Sequence, residues 1–386
     1  MDRLKHRSDV LEGLGANGVE REELLRYNEN HFATPGVPSG GFPLPDELSV
    51  AVWEEYAREA AETGQGAQVL DRYLVQFRFP IAEGMSATPQ YQAATRRGVV
   101  DGGEPVLRLR SPQRTSIFVH ETLAGRVPIL LAEDREDFVA LVRALSLHNE
   151  PALVPDSQGA CMVGGFNNWH RVQRWRAEWA AEHPGASATE CAAAFREMAA
   201  HRELYQDRFI ILSGGPYSGV AASDLGLGDE EWLLRSLVIR REHECAHYFT
   251  RRVLGSMRNN LLDELIADYC GIVAGGNRYR ADWFLRFLGL EAFPDFRATG
   301  RLSNYRGDPP LSSGSFAILQ KLAVLAAQNL EEFDAATFAN GRRSSRVGFG
   351  ILMALTRLTV EELASPQALE LLCGGCSVAA GGGGAA

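Results

Sequence analysis

The chain has 386 residues, a formal net charge of −10, an apolar share of 45% and a charged share of 23%. Its length favours two or three structural units, and its composition is that of a folded soluble protein rather than a disordered or fibrous one. The negative charge argues against nucleic acid as the main partner, because such binding relies on concentrated positive charge.

The chain begins with MDRLKHRSDV, which is charged and lacks the apolar stretch of a secretory signal. No run approaches the roughly 18 apolar residues of a membrane helix. The six cysteines are too few and too scattered for a disulfide scaffold. We therefore expect a cytoplasmic protein that does not bind membranes, and the sequence indicates no oligomeric state.

Residues 1–150 predict an α/β accessory region. A helical pattern over residues 1–30 is followed by a loop rich in proline and glycine and then by a second helical pattern. Residues 73–81, YLVQFRFPI, predict a strand. Residues 128–155 predict a strand, a helix and a second strand.

The rest of the chain predicts helices with few strands. In residues 151–300 a glycine-rich turn at residues 159–169 leads into a helix, and residues 208–223 predict a strand and turn before the longest helix. Residues 301–372 predict a helical C-terminal region, and residues 373–386 predict a disordered glycine and alanine tail. The expected class is α+β, with the α/β region followed by a mainly helical metal-binding domain.

The longest predicted helix contains the sequence EHECAH, in which His243, Glu244 and His247 form an H-E-x-x-H motif. Residues four apart share a helix face, so both imidazoles can bind one metal ion. Glu244 lies beside the first histidine, where a carboxylate can act on a ligand of that ion. The pattern predicts a zinc site.

A second predicted helix, NNLLDELIADYCGIVAGG, supplies a third ligand. Glu264 and Asp268 stand four apart on one face, opposite an apolar stripe. The sixteen residues between His247 and Glu264 allow the chain to turn and bring the second helix antiparallel to the first. Glu264 is therefore the candidate third protein ligand.

These two segments resemble the gluzincin zinc metallopeptidases, which join H-E-x-x-H to a helix of the form (N/D)-E-x-x-(A/S)-D. The resemblance covers about residues 241–275, and Asp263 stands where asparagine is usual. It implies that His243, His247 and Glu264 bind zinc and that Glu244 is the general base. It also implies that Asp268 orients His243.

The resemblance extends to the segment before the metal helix. In gluzincins a strand and turn at this place in the chain often pair with an extended substrate. Residues 210–223, IILSGGPYSGVAAS, occupy that place here. The alternative is a tight connection that needs glycine.

Two imidazoles and one carboxylate leave zinc a position for water, so the set suffices for hydrolysis. The motif contains no donor for a tetrahedral oxyanion, and Tyr305, Tyr279 and Tyr217 are the candidates. The sequence thus predicts a zinc metallopeptidase with a peptide or protein substrate. The alternatives are a zinc hydrolase of a non-peptide amide or ester, and a non-enzymatic binding protein that is stabilised by metal and could be tied to peptide maturation.

Overall fold

The computed structural model describes residues 2–32, 41–99, 104–338 and 345–381. The chain divides into two compact units. The sheet unit is Pro43–Gly215, and the helical unit joins Met1–Phe42 to Pro216–Ala386. Helices predominate and the strands form one mixed sheet, which confirms the predicted α+β class.

The described residues contain fifteen α-helices and four strands. The helices are α1 (Arg3–Gly13), α2 (Gly18–Tyr27), α3 (Val50–Thr63), α4 (Gly66–Tyr73), α5 (Pro89–Arg97), α6 (Arg135–Leu145), α7 (Trp169–Glu182), α8 (Ala188–Ala200), α9 (Asp229–Val253), α10 (Leu261–Gly276), α11 (Ala281–Leu288), α12 (Ser313–Thr337), α13 (Ser345–Leu355), α14 (Val360–Ala364) and α15 (Ala368–Gly381). The strands are β1 (Thr115–His120), β2 (Val127–Ala132), β3 (Ala160–Asn167) and β4 (Gln206–Ser213).

The sheet has the order β1-β2-β4-β3. The central strands β2 and β4 run parallel, and each pairs antiparallel with an edge strand. Every residue of β2 is buried, as expected for a central strand covered on both faces. From residue 210 to residue 212, β4 is paired on both sides. This part of residues 210–223 therefore has no free edge for an extended substrate, which leaves the alternative of a connection that needs glycine for the turn.

Several predicted local structures in the sheet unit are wrong. The predicted strand over residues 73–81 is the end of α4 followed by a 3₁₀ helix, Val75–Arg78. The Asn149 side-chain amide donates hydrogen bonds to the carbonyl oxygens of Gln76 and Phe79, at 3.1 Å each. These carbonyl groups are therefore bound by a side chain instead of by a neighbouring strand. No strand follows α6 in residues 146–155, where the Arg135 guanidinium instead donates to a backbone carbonyl oxygen.

The predicted glycine-rich turn at residues 159–169 is largely strand β3. This strand has a bulge between Gly164 and Phe166, and Gly165 adopts a φ of +69° there. A bulge on an edge strand accommodates glycines that would weaken a central strand. The sequence GACMVGGF therefore pairs with β4 despite its turn-like composition.

The division into two units differs from the predicted domain boundaries. The predicted boundary at residue 150 falls inside the sheet unit, because β3 and β4 pair in one sheet with β2. Residues 1–42 belong with the C-terminal helices, where the Arg7 guanidinium and the Asn28 amide both bind the buried Glu361 carboxylate. The predicted boundary at residue 300 falls inside the helical unit.

The tail also differs from its prediction. Helix α15 continues through residue 381, whereas disorder was predicted from residue 373. A Cβ atom at Gly375 would lie 2.9 Å from the Cβ atom of Ala354, so this glycine lets α15 lie close against α13. Residues 382–386 of the predicted tail lie outside the described residues.

Helices α9 and α10 form the frame of the candidate site. The Arg235 guanidinium, near the start of α9, donates to the Gly275 carbonyl oxygen at 2.8 Å, near the end of α10. His247, later in α9, lies beside Glu264, early in α10, so the helices run antiparallel as predicted. A Cβ atom at Gly271 would lie only 2.6 Å from the Ile239 carbonyl oxygen. Glycine is therefore required for this close approach.

Across the described ranges, no helix has both the length and the apolarity needed to cross a membrane.

Candidate metal centre

The two histidines of the H-E-x-x-H motif face each other on α9. His243 and His247 are about one helical turn apart, so their side chains leave α9 in similar directions. Their Nε2 atoms lie 3.1 Å apart. The adjacent Tyr248 and Phe249 are buried in the helical unit, which fixes the rotation of α9 about its axis.

Glu264 on α10 lies opposite both imidazoles. Its Oε1 atom is 3.5 Å from Nε2 of His247, and its Oε2 atom is 3.7 Å from Nε2 of His243. The three side chains are 7–14% exposed, so little bulk water competes for their polar atoms. They form a group that could hold one metal ion.

Glu264 stabilises a positive charge on the neighbouring His247 imidazole. Burial disfavours the charged form of His247, but the hydrogen bond and charge of Glu264 outweigh it and raise the pKa of His247 to about 9. Burial also opposes ionisation of Glu264. The hydrogen bond from His247 and the charge of His243 nevertheless lower the pKa of the Glu264 carboxyl. A metal ion binding here would displace the proton on His247.

His243 is oriented through its other ring nitrogen. Its Nδ1 atom lies 2.8 Å from Oδ1 of Asp268, which is fully buried on α10. An N–H group at Nδ1 donates to that carboxylate, which leaves Nε2 with its lone pair. The Tyr217 hydroxyl donates to the same oxygen at 2.6 Å. Asp268 thus lies where the gluzincin resemblance implies.

Glu244 lies next to the first histidine and is half-buried. Its charge contributes to the raised pKa of His247, which places the carboxylate near the ligand group. Its carboxylate is outside the three-residue ligand group. Glu244 is therefore close to the ligand group without belonging to it.

The three oxyanion candidates lie in different surroundings. Tyr217 contacts the Nδ1 edge of His243, at 2.9 Å, rather than the edge that faces the other ligands. Tyr279 is fully buried, with its ring stacked on Tyr269. Burial and the negative charge of Glu264 raise the pKa of the Tyr305 phenol, which indicates that this phenol lies near the Glu264 carboxylate.

Sequence reasoning missed Arg301, which lies on the 3₁₀ helix Arg301–Tyr305. Its Nη2 atom donates to Oδ2 of Asp268, and its Nη1 atom donates to the Tyr217 hydroxyl at 2.9 Å. Nη1 also lies 3.9 Å from Oε2 of Glu264. A lone arginine 33 residues after Asp268 belongs to no local pattern, so only the folded chain identifies it.

Unlike His243, His247 has no hydrogen-bond partner at Nδ1 among the described residues. Nδ1 of His247, Oδ1 of Asp263 and Nδ2 of Asn259 are buried there without a hydrogen-bond partner. The other oxygen of Asp263 accepts a hydrogen bond from the Asn259 backbone N–H. The polar contacts behind the ligand group are therefore concentrated on His243.

A family model with the description "Family of unknown function (DUF7005)" matches residues 9–367, which cover the sheet unit and most of the helical unit. No curated protein and no solved structure matches the chain. The resemblance to gluzincins therefore rests on the EHECAH and DELIAD segments alone.

Proposed function

We propose that this chain, which belongs to DUF7005, a family of unknown function, is a zinc-dependent hydrolase that acts on peptide bonds. His243, His247 and Glu264 would hold the zinc ion, and Glu244 would serve as general base.

The spacing of the ligand atoms is the main support for zinc. In a tetrahedral site with bonds of about 2.1 Å, neighbouring ligand atoms lie about 3.4 Å apart. The separations here are 3.1, 3.5 and 3.7 Å, so one ion can reach all three side chains. Two imidazoles and one carboxylate are also a ligand set of catalytic zinc sites, which keep a further position open.

Zinc bound at these residues would lower the pKa of a water molecule to about 7 and polarise a substrate carbonyl. Glu244 would accept a proton during attack on the carbonyl and later deliver it to the leaving group. Asp268 keeps the proton of His243 on Nδ1, so that Nε2 remains a ligand. The low exposure of the ligand side chains limits competition from bulk water.

The choice of peptide bonds depends on the resemblance of EHECAH and DELIAD to the gluzincin helices. The ligand chemistry itself would act equally on a non-peptide amide or an ester, which are the alternative substrates. A fluorogenic peptide library assayed beside simple esters and aryl amides separates the two possibilities. Cleavage of peptides is expected, whereas turnover of esters or aryl amides alone would contradict the peptidase assignment.

The experiment that tests hydrolysis compares the wild-type protein with Glu244→Gln. The variant should keep its zinc and fold but lose turnover by several orders of magnitude, because an amide cannot accept the proton. Glu230→Gln is the matched control, since Glu230 lies on the same helix in its exposed first turn. Equal activity in Glu244→Gln, or a zinc-loaded wild type that hydrolyses no substrate, would refute the enzyme proposal.

A further inference from the structure

A segment outside both motif helices contacts the metal centre at two points. The 3₁₀ helix Arg301–Tyr305 places the Arg301 guanidinium on Asp268 and Tyr217. It ends at Tyr305, whose phenol pKa is raised by burial and by the charge of Glu264. The Tyr27 hydroxyl donates to the Tyr305 carbonyl oxygen at 2.5 Å. The segment is thus attached to the ligand helix at one end and to α2 at the other.

The Arg301 side chain is only 11% exposed, and both terminal nitrogens of its guanidinium are in use. Nη2 binds Asp268, and Nη1 binds the Tyr217 hydroxyl. The guanidinium carbon lies 5.1 Å from the centre of the Tyr217 ring. Nε of Arg301 is buried without a hydrogen-bond partner among the described residues. A substrate carboxylate that bound this guanidinium through two nitrogens would have to share at least one of the two that already bind Asp268 and Tyr217.

The position of Arg301 also explains how two buried carboxylates coexist on α10. Glu264 and Asp268 are about one helical turn apart, and their negative charges repel each other. Burial of such charges is costly unless a cation lies beside them. Arg301 binds one carboxylate directly, and its Nη1 atom lies 3.9 Å from an oxygen of the other.

We propose that Arg301 is a positioning residue of the metal centre, which acts by holding Asp268 and Tyr217 against Nδ1 of His243. The Asp268 carboxylate must keep a fixed orientation to accept a hydrogen bond from Nδ1 of His243 through Oδ1. Arg301 holds the carboxylate in that orientation by binding its other oxygen, Oδ2. The Tyr217 hydroxyl is held between the guanidinium and the first oxygen. Arg301 thereby fixes the ring of His243 in the orientation that binds metal. This inference rests on the metal site of the proposed function but not on its substrate.

The test measures zinc affinity in Arg301→Met and Arg301→Lys by competition with a chromogenic chelator. Loss of an outer-shell partner of this kind typically costs 10–100-fold in metal affinity, and we expect that loss in Arg301→Met. Arg301→Lys keeps the charge but cannot bind Asp268 and Tyr217 in the same fork, so we expect an intermediate loss. The control is Arg278→Met, because Arg278 is exposed in the same unit, and its affinity should match the wild type.

A second readout is the visible spectrum of the cobalt-substituted proteins, which reports the geometry around the ion independently of turnover. We expect Arg301→Met to shift the cobalt bands and Arg278→Met to leave them unchanged. Unchanged affinity together with an unchanged spectrum in Arg301→Met would overturn the proposal. Zinc binding without hydrolysis in the wild type would instead overturn only the proposed function, and a wild type without metal would overturn both.

Arg301→Met leaves the buried Asp268 carboxylate without its cation, which destabilises the folded state, so a second variant is needed that keeps this cation. Tyr217→Phe keeps the ring and removes only the hydroxyl between Arg301 and Asp268, so it tests the same network in a folded protein. We expect Tyr217→Phe to weaken zinc binding and to shift the cobalt bands relative to the wild type. Wild-type affinity and spectrum in Tyr217→Phe would contradict the proposed network.

Discussion

Gly271→Ala should destabilise the protein and weaken metal binding, although alanine is the better helix former. A Cβ atom at residue 271 would lie 2.6 Å from the carbonyl oxygen of Ile239 and 3.1 Å from its Cγ2 atom. The carbonyl oxygen is backbone and cannot rotate away, so α9 and α10 must separate. Because α9 supplies both histidines and α10 supplies Glu264, the separation also changes the ligand triangle.

The size of the effect follows from two opposing contributions. Overpacking of this kind costs about 1–3 kcal/mol, whereas replacing a helical glycine by alanine returns about 0.5–1 kcal/mol. We therefore expect Gly271→Ala to lower the free energy of unfolding by about 1–2 kcal/mol in the metal-free protein. Chemical denaturation measures this difference, and chelator competition measures the accompanying loss of zinc affinity.

Gly276→Ala is the matched control on the same helix. A Cβ atom at Gly276 would lie 3.8 Å from the Trp283 ring, which is an ordinary van der Waals contact. This variant should be as stable as the wild type or slightly more stable, with unchanged zinc affinity. If Gly271→Ala were stabilised to the same extent as Gly276→Ala, the close packing of α9 on α10 would be refuted.

Three further predictions concern the chemistry of single side chains. Because the pKa of His247 is raised to about 9 without metal, zinc binding should release about one proton fewer above pH 10 than near pH 8. Calorimetry in buffers of different ionisation enthalpy measures the number of protons released. An equal release at both pH values would contradict this prediction. The same shift implies a contribution to metal-free stability that is complete below about pH 6.5 and is lost as the pH rises through about 9, which denaturation at several pH values checks. The Tyr279 hydroxyl is buried without a hydrogen-bond partner among the described residues. Tyr279→Phe should therefore raise the free energy of unfolding by up to about 1 kcal/mol and leave zinc binding unchanged. A loss of zinc in this variant would contradict the prediction and would show that the hydroxyl contributes to the metal site.

The candidate ligands were accessible to sequence reasoning because helical spacing fixes which side chains share a face. Two pairs of residues are spaced four apart, His243 and His247 on α9 and Glu264 and Asp268 on α10. The antiparallel pairing of the two helices, which the short connection predicts, brings these pairs together. The roles of these residues remain predictions. The α+β class also followed from the alternation of strand and helix patterns.

The remaining features depend on contacts that a local pattern does not contain. The apolar run at residues 73–81 resembles a strand, but side-chain hydrogen bonds from Asn149 favour a 3₁₀ helix. The glycines of β3 are typical of a turn, but in the folded chain this segment forms a strand that pairs with β4. Arg301 reaches Asp268 only through the fold of the chain between them, because the two residues are 33 positions apart.

The presence of a metal centre is tested most directly by zinc content per chain in the wild type and in Glu264→Ala, each purified under the same conditions. Glu264 supplies both carboxylate contacts to the histidines, so its removal leaves two protein ligands, too few for stable zinc binding. We predict one zinc ion per wild-type chain and a strongly reduced content in Glu264→Ala with the fold retained. Full zinc content in Glu264→Ala, or none in the wild type, would contradict the metal centre described by His243, His247 and Glu264.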